Sequence, residues 1–212
     1  MGWVERVAGF VFLLVVVVSG LAALDALTVP VGRADATRTP ERSQLAPSGA
    51  RAPHARTFVL LLDSLRFETA TDPALMPHTA ALRVKSTFAR VIPTRDAVTV
   101  PCVRAAFTGE DRVSLLGFVA NFLAQKTALP SVFTALLAAG QKAAAFSDAA
   151  FDQFGDAGLE RFDNGGDGPT EVRDQNAGAW RAVETYRAGK HALVVMHVTY
   201  TDHAAHEGGI SN

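Results

Sequence analysis

Three short apolar runs in this chain each stop at an aspartate, and that repetition limits the fold more than any other feature of the sequence. Thr57 to Asp63 reads TFVLLLD, Lys142 to Asp148 reads KAAAFSD, and His191 to Asp202 reads HALVVMHVTYTD, the longest of the three. Aliphatic runs of this kind, with little polar alternation, predict strands buried on both faces, as in a parallel sheet. The segments between them carry helix punctuation. Asp72 to Lys85 has apolar residues at helical spacing; AVTVPCVRAAFTG holds Pro101 in its first turn and Gly109 past its end; PSVFTALLAAG runs from Pro130 to Gly140; and Glu171 to Gly189 is amphipathic. STFARVI, from Ser86 to Ile92, is expected as a further strand, and the Gly- and Asp-rich stretch from Phe151 to Glu171 as a loop. Strand and helix alternate, which predicts an α/β fold with a doubly wound, mostly parallel sheet.

Sheets of that type bind ligands outside the carboxyl ends of their strands, so the acids at which the runs stop are candidate site residues. Asp63 stands where a metal or substrate would sit. Thr99, two residues before Pro101, is the N-cap of its helix or the neighbour of the N-cap, with its hydroxyl beside orphan N–H groups that suit a phosphate. A second cluster, TDHAAHEGG, spaces Asp202 and His206 four apart, so that a turn or first helical turn brings a carboxylate oxygen and an imidazole nitrogen to one cation. His203 points elsewhere in such a turn. A surface turn is the competing reading for an isolated Asp–His pair; strand-end acids converging with Thr99 favour a metal-assisted site. Arg66 and Arg104 are candidate phosphate contacts, with surface salt-bridging as the alternative for each. His78 is expected on an exposed helix face, and His191 and His197 in core or edge positions of the last strand.

The N-terminus has a different character. Val7 to Leu24 contains no charge and a single polar side chain, Ser19, so residues 1–26 read as a signal peptide or a membrane anchor. Arg33, Arg38 and Arg42 follow it and Arg6 precedes it, a bias that taken alone would keep the downstream domain cytoplasmic. A short apolar run ahead of a soluble domain is more simply an export signal, which places the domain in an exported or membrane-anchored setting. Residues 27–56, rich in Pro, Ser, Arg, Ala and Gly, read as a disordered linker, and residues 57–212 as the catalytic-type domain. A net charge of −1 and scattered arginines argue against a nucleic-acid binder. The single cysteine, Cys102, excludes an intrachain disulfide.

The segments VLLLDSLRFETA, MPHTAALRVKSTFARVIPTRDAVTVPCVRAAFTG, AAGQKAAAFSDAAFDQFGD and YTDHAAHEGG, in this order and spacing, resemble the alkaline phosphatase superfamily. The likeness is greatest to the branch of type I phosphodiesterases and glycosylphosphatidylinositol ethanolamine-phosphate transferases, and it covers roughly residues 57–212. It implies a three-layer α/β/α sandwich and two divalent metal ions, zinc, held by Asp63 with Thr99 and by Asp202 with His206. It further implies Thr99 as nucleophile and a phosphodiester or phospholipid-type substrate. Sulfatases, a related branch, need Cys or Ser two residues before the proline, where this chain has Thr99. Three positions depart from the family pattern: Ser64 replaces a frequent Gly or Ala, Cys102 a frequent polar or basic residue, and Ala205 the usual Gly. Family members complete both metal shells with an Asp-His pair and a further His downstream. None of His54, His78, His191, His197 and His203 supplies that pair, so the chain reads as the N-terminal part of a larger enzyme. By itself it is expected to be silent, with its last strand left unpaired at one edge. Water as acceptor makes a phosphodiesterase and an alcohol a transferase; both stay open. So does a different class, a membrane-tethered module that keeps the fold without turnover.

Overall fold

Among the described residues, aliphatic and alanine-rich runs condense into four parallel strands, β1 (Thr57–Leu62), β2 (Ala143–Ser147), β3 (Leu159–Asp163) and β4 (Leu193–Val198), in the order β1-β4-β2-β3. The computed structural model describes residues 15–17, 19, 56–90, 98–109, 126–166 and 171–208. Of the Val7 to Leu24 run, residues 15–17 and 19 are helical; the rest of that run, the anchor expectation and residues 27–55 of the linker lie outside the described residues. No helix among the described residues is long and apolar enough to cross a membrane. The sheet belongs to a compact unit made of Gln44–Lys126 and Ser131–Asn212, while Met1–Ser43 with Thr127–Pro130 cluster separately.

Among the described residues the helices that accompany the sheet are α1 (Phe67–Thr71), α2 (Pro77–Arg83), α3 (Thr99–Thr108), α4 (Val132–Ala138), α5 (Glu171–Arg187) and α6 (Tyr200–Gly208), with a 3-10 helix at Ala149–Ala157. Their ends follow local chemistry. Gly109 closes α3 in the left-handed region at φ 75°, and Ser131 caps α4 in a reciprocal box with Thr134. Helices cover both faces of the sheet, sorted by the two-residue period of the strands. Leu193 and Val195 of β4 join Ala143, Ala145, Val103, Phe133, Phe151 and Phe154 on the face under α3, α4 and the 3-10 helix. Val194, Met196 and Val198 join Ala144, Phe146 and Ala182 on the α5 face. On the first face Phe133 lies 5.0 Å from Phe107 and 4.9 Å from Phe154, ring centroid to centroid.

Several expectations need correction. The last strand is not an unpaired edge: β4 is paired by β1 on one side and β2 on the other, and all six of its residues are buried. It is also shorter than its apolar run, because the chain leaves the sheet at Thr199 and Asp202 sits in the first turn of α6. β1 pairs only with β4 among the described strands, so it is half exposed instead of buried, with Leu60 open to solvent. Ser86 to Arg90, the described part of the STFARVI run, forms no strand. Phe88 there packs under the Arg83 guanidinium at 4.1 Å and beside Phe67 at 6.0 Å, so its apolar surface is spent on side chains outside the sheet. The described part of the expected loop from Phe151 to Glu171 carries regular structure, a 3-10 helix up to Ala157 and β3 from Leu159. Phe151 and Phe154, three apart, put both rings into the core of a helix with three residues per turn. β3 then pairs with β2 in a register that places Phe162 opposite Phe146, their rings stacked at 4.9 Å.

After β3 the chain turns against α5 so tightly that glycine is required twice. A Cβ on Gly165 (φ 120°) would sit 2.3 Å from the Asp174 backbone, and one on Gly178 would sit 2.3 Å from the Asn164 carbonyl oxygen. This contact holds Asn164 in place, and its Nδ2 donates at 2.9 Å to the carbonyl of His197. Gly178→Ala should therefore destabilise the protein by about 1–3 kcal/mol, whereas Gly155→Ala, where an added Cβ meets nothing within 4 Å, should be close to neutral. Urea denaturation midpoints of the two variants measure the difference; equal midpoints would contradict the close packing.

Candidate active site

Each candidate side chain is placed by an element already described. Asp63 follows the last residue of β1, where its N–H donates to the Val198 carbonyl at 2.9 Å and extends the β1–β4 ladder by one bond. Thr99 is the first residue of α3; Val98, the N-cap, makes no side-chain cap bond. The Thr99 hydroxyl therefore does not close its own helix. It donates to Asp63 Oδ2 at 2.9 Å, joining two segments 36 residues apart. The start of α3 is held by Gln153, fully buried in the 3-10 helix, whose Nε2 donates to the Val100 carbonyl at 3.1 Å and the Ala150 carbonyl at 2.8 Å.

His197 completes this half of the site, although the sequence reading gave it only a core or edge role. It is fully buried near the end of β4, with Nδ1 3.2 Å from Asp148 Oδ1 and Nε2 3.4 Å from Asp63 Oδ2. Nε2 is in ion-pair range of Asp63 without hydrogen-bond alignment. Phe151 borders the ring at 5.7 Å between centroids. Burial by itself pushes the imidazole pKa down; the hydrogen bond to Asp148, the contact with Asp63 and their negative charges outweigh it and raise the pKa to about 9. Burial likewise pushes the Asp63 carboxyl up, and His197, the Thr99 hydroxyl and the Ser64 backbone bring it below its ordinary range. Asp148 has a second task, accepting the Ala150 N–H at 3.1 Å as N-cap of the 3-10 helix. A third strand-end acid and a histidine inside an apolar run were the sequence signals for this pair.

Asp202 and His206 lie one turn apart on α6, with Oδ2 3.5 Å from Nε2 and His206 largely exposed. Two hydroxyls connect them to the first half: Ser64 Oγ donates to Asp202 Oδ1 at 2.5 Å, and Thr201 Oγ1 donates to the Asp63 carbonyl at 2.5 Å. His203 turns the other way, its Nδ1 2.6 Å from Glu171 Oε1 on α5. Arg66 is exposed ahead of α1, and Arg104 is half-buried on α3. Five positions along a helix are about 140° around its axis, so Arg104 does not share the face of Thr99. His191 pairs with Glu160 Oε2 at 2.9 Å, away from these residues in a supporting role at the start of β4.

The four residues singled out for metal binding thus form two donor pairs, Asp63 with Thr99 and Asp202 with His206, joined through Ser64. Carboxylate, hydroxyl and imidazole donors suit a divalent cation such as zinc. They fit as the first two ligands at each position and go no further among the described residues, where no group of three or more His, Cys, Asp or Glu is assembled. Comparison with protein-family models, curated proteins and solved structures gives no match to this chain.

The Asp148–His197–Asp63 bridge has a pH signature. In an unfolded chain the imidazole titrates near 6.5, against about 9 when buried. A raised folded pKa means that the contribution is complete below pH 6.5 and is lost as the pH rises through 9; it is on the order of 3 kcal/mol. Asp63 acts at the acid end, contributing above its ordinary 3.8 and losing that contribution as the pH falls below it. Urea unfolding of the metal-free protein should show stability declining between about pH 6.5 and pH 9, and His197→Gln should flatten that decline. A flat profile in the unmutated protein would mean that the buried imidazole is neutral.

Proposed function

We propose that this chain carries the threonine nucleophile of a metal-dependent phosphoryl-group hydrolase or transferase of the alkaline phosphatase type, acting on phosphodiester or phospholipid-type substrates. The observation that carries the reading is the 2.9 Å hydrogen bond from Thr99 Oγ1 to Asp63 Oδ2, made at the strand-end position where α/β sheets act on ligands. The α/β/α layering and the adjacent Asp202–His206 pair support the same assignment.

The electrostatics support a division of roles between the side chains and bound cations. Asp63 holds the threonine hydroxyl in one direction, but a carboxylate whose pKa lies below its ordinary range is a poor base for an alcohol. Divalent cations held by Asp63 with Thr99 and by Asp202 with His206 would lower the pKa of the hydroxyl and balance charge on the phosphoryl oxygens. His197 keeps Asp63 ionised and fixed, and Asp148 keeps His197 oriented. The start of α3 places a positive helix end beside Thr99, favourable to a phosphate. In the proposed reaction Thr99 Oγ bonds to phosphorus while the ester oxygen leaves as an alcohol carrying the proton. Water or an acceptor alcohol then displaces the threonine, which distinguishes hydrolase from transferase. A membrane-anchored or exported location fits the apolar run of Val7 to Leu24 and a lipid-linked substrate.

In the larger enzyme of which this chain reads as the N-terminal part, Thr99→Ala should lower turnover of an aryl phosphodiester in the presence of zinc by at least about 10⁴-fold, whereas Cys102→Ala should retain most of it. Steady-state rates of the purified variants decide the matter. A Thr99→Ala variant that keeps its rate removes threonine as the nucleophile.

A further inference from the structure

Ser64 is the one non-glycine residue among the described residues with a left-handed backbone, at φ 53°. Serine takes that region at a cost that glycine avoids, and such conformations persist where surrounding contacts impose them. The side chain is exposed, so burial does not demand a partner for its hydroxyl; water would serve. Yet Ser64 Oγ reaches across to Asp202 Oδ1, while Thr201 Oγ1 returns to the Asp63 carbonyl and the Asp63 N–H holds the Val198 carbonyl. The turn after β1 and the first turn of α6 are clasped from both sides.

The clasp is one of two restraints on the Asp202 side chain. An acid in the first turn of a helix ordinarily swings back to accept a free N–H at the helix start. Here that acceptor role is taken: Gln175 Oε1, from α5, receives the Thr199 N–H at 2.9 Å and the Tyr200 N–H at 3.3 Å. Gln175 therefore closes the backward conformation, and Ser64 secures the forward one by binding Oδ1. What remains is Oδ2, 3.5 Å from His206 Nε2.

We infer that Ser64 is a positioning residue for the Asp202–His206 pair: its hydroxyl fixes the carboxylate so that Oδ2 and His206 Nε2 are presented together to one divalent cation. The inference rests on the proposed use of that pair as a cation site, and a binding measurement tests it without any turnover. Zinc titration calorimetry on the unmutated protein, Ser64→Ala, Ser64→Gly and Asp202→Ala separates the possibilities. Both Ser64 variants should bind zinc at this site about tenfold more weakly, as expected when a residue orienting a ligand is lost. Ser64→Gly should do so with an unchanged or higher melting temperature, since glycine relieves the left-handed backbone. If Ser64 served only to shape the turn, glycine would restore zinc affinity in full, and that result overturns the inference. Unchanged affinity in both Ser64 variants beside a weakened Asp202→Ala also overturns it while leaving the cation pair standing. Zinc binding that is absent from the unmutated protein, or indifferent to Asp202→Ala, removes the pair itself and the inference with it.

Discussion

A charged imidazole can be buried in a protein core only if carboxylates flank it, and much of this structure follows from giving His197 two of them. Isolated burial of such a charge costs several kcal/mol, on the order of what a whole domain of this kind has in reserve. The sheet order β1-β4-β2 meets the requirement geometrically. With β4 in the middle, a residue near its carboxyl end has the stop of β1 on one side and the stop of β2 on the other; His197 is in register with Leu61, two residues before Asp63, and Met196 with Phe146, two residues before Asp148. Because Asp63 also accepts the Thr99 hydroxyl, the same arrangement reaches α3. Removing His197 leaves two carboxylates without the cation between them, and removing Asp63 also releases the Thr99 hydroxyl, so the sheet order and the direction of the threonine depend on one another.

The parts of this arrangement that were legible in the sequence are those encoded locally. Asp63 at the end of a strand, Thr99 at the start of a helix, and Asp202 four residues before His206 all depend on punctuation within a few residues of each side chain. So do Gly109 closing α3 and Gly140 beyond α4, each with positive φ. What was not legible depends on which strand lies beside which. His197 reads as an ordinary polar interruption of an apolar run until β4 is known to be central. Asp148 reads as one more strand-end acid until β2 is known to be its neighbour. β3 and the 3-10 helix were hidden for another reason. Gly and Asp dominate the composition between Phe151 and Glu171, and the order there comes from Phe151, Phe154 and Phe162 docking on partners distant in sequence. Conversely, Ser86 to Arg90, apolar enough at Phe88 to suggest a strand, forms none, because Phe88 packs against Arg83 and Phe67.

Gln175 has a consequence beyond capping. The N–H groups that open α6 are bonded to a side chain of α5, and Glu171, one turn earlier on α5, accepts from both Gln175 Nε2 and His203. The helix that carries Asp202 and His206 thus has no independent start: its first turn forms when α5 is folded and frays when α5 does. Opening of α5 would therefore remove the cap of α6 as well. The half of the candidate site on α6 leans on a helix that contributes none of its proposed ligands.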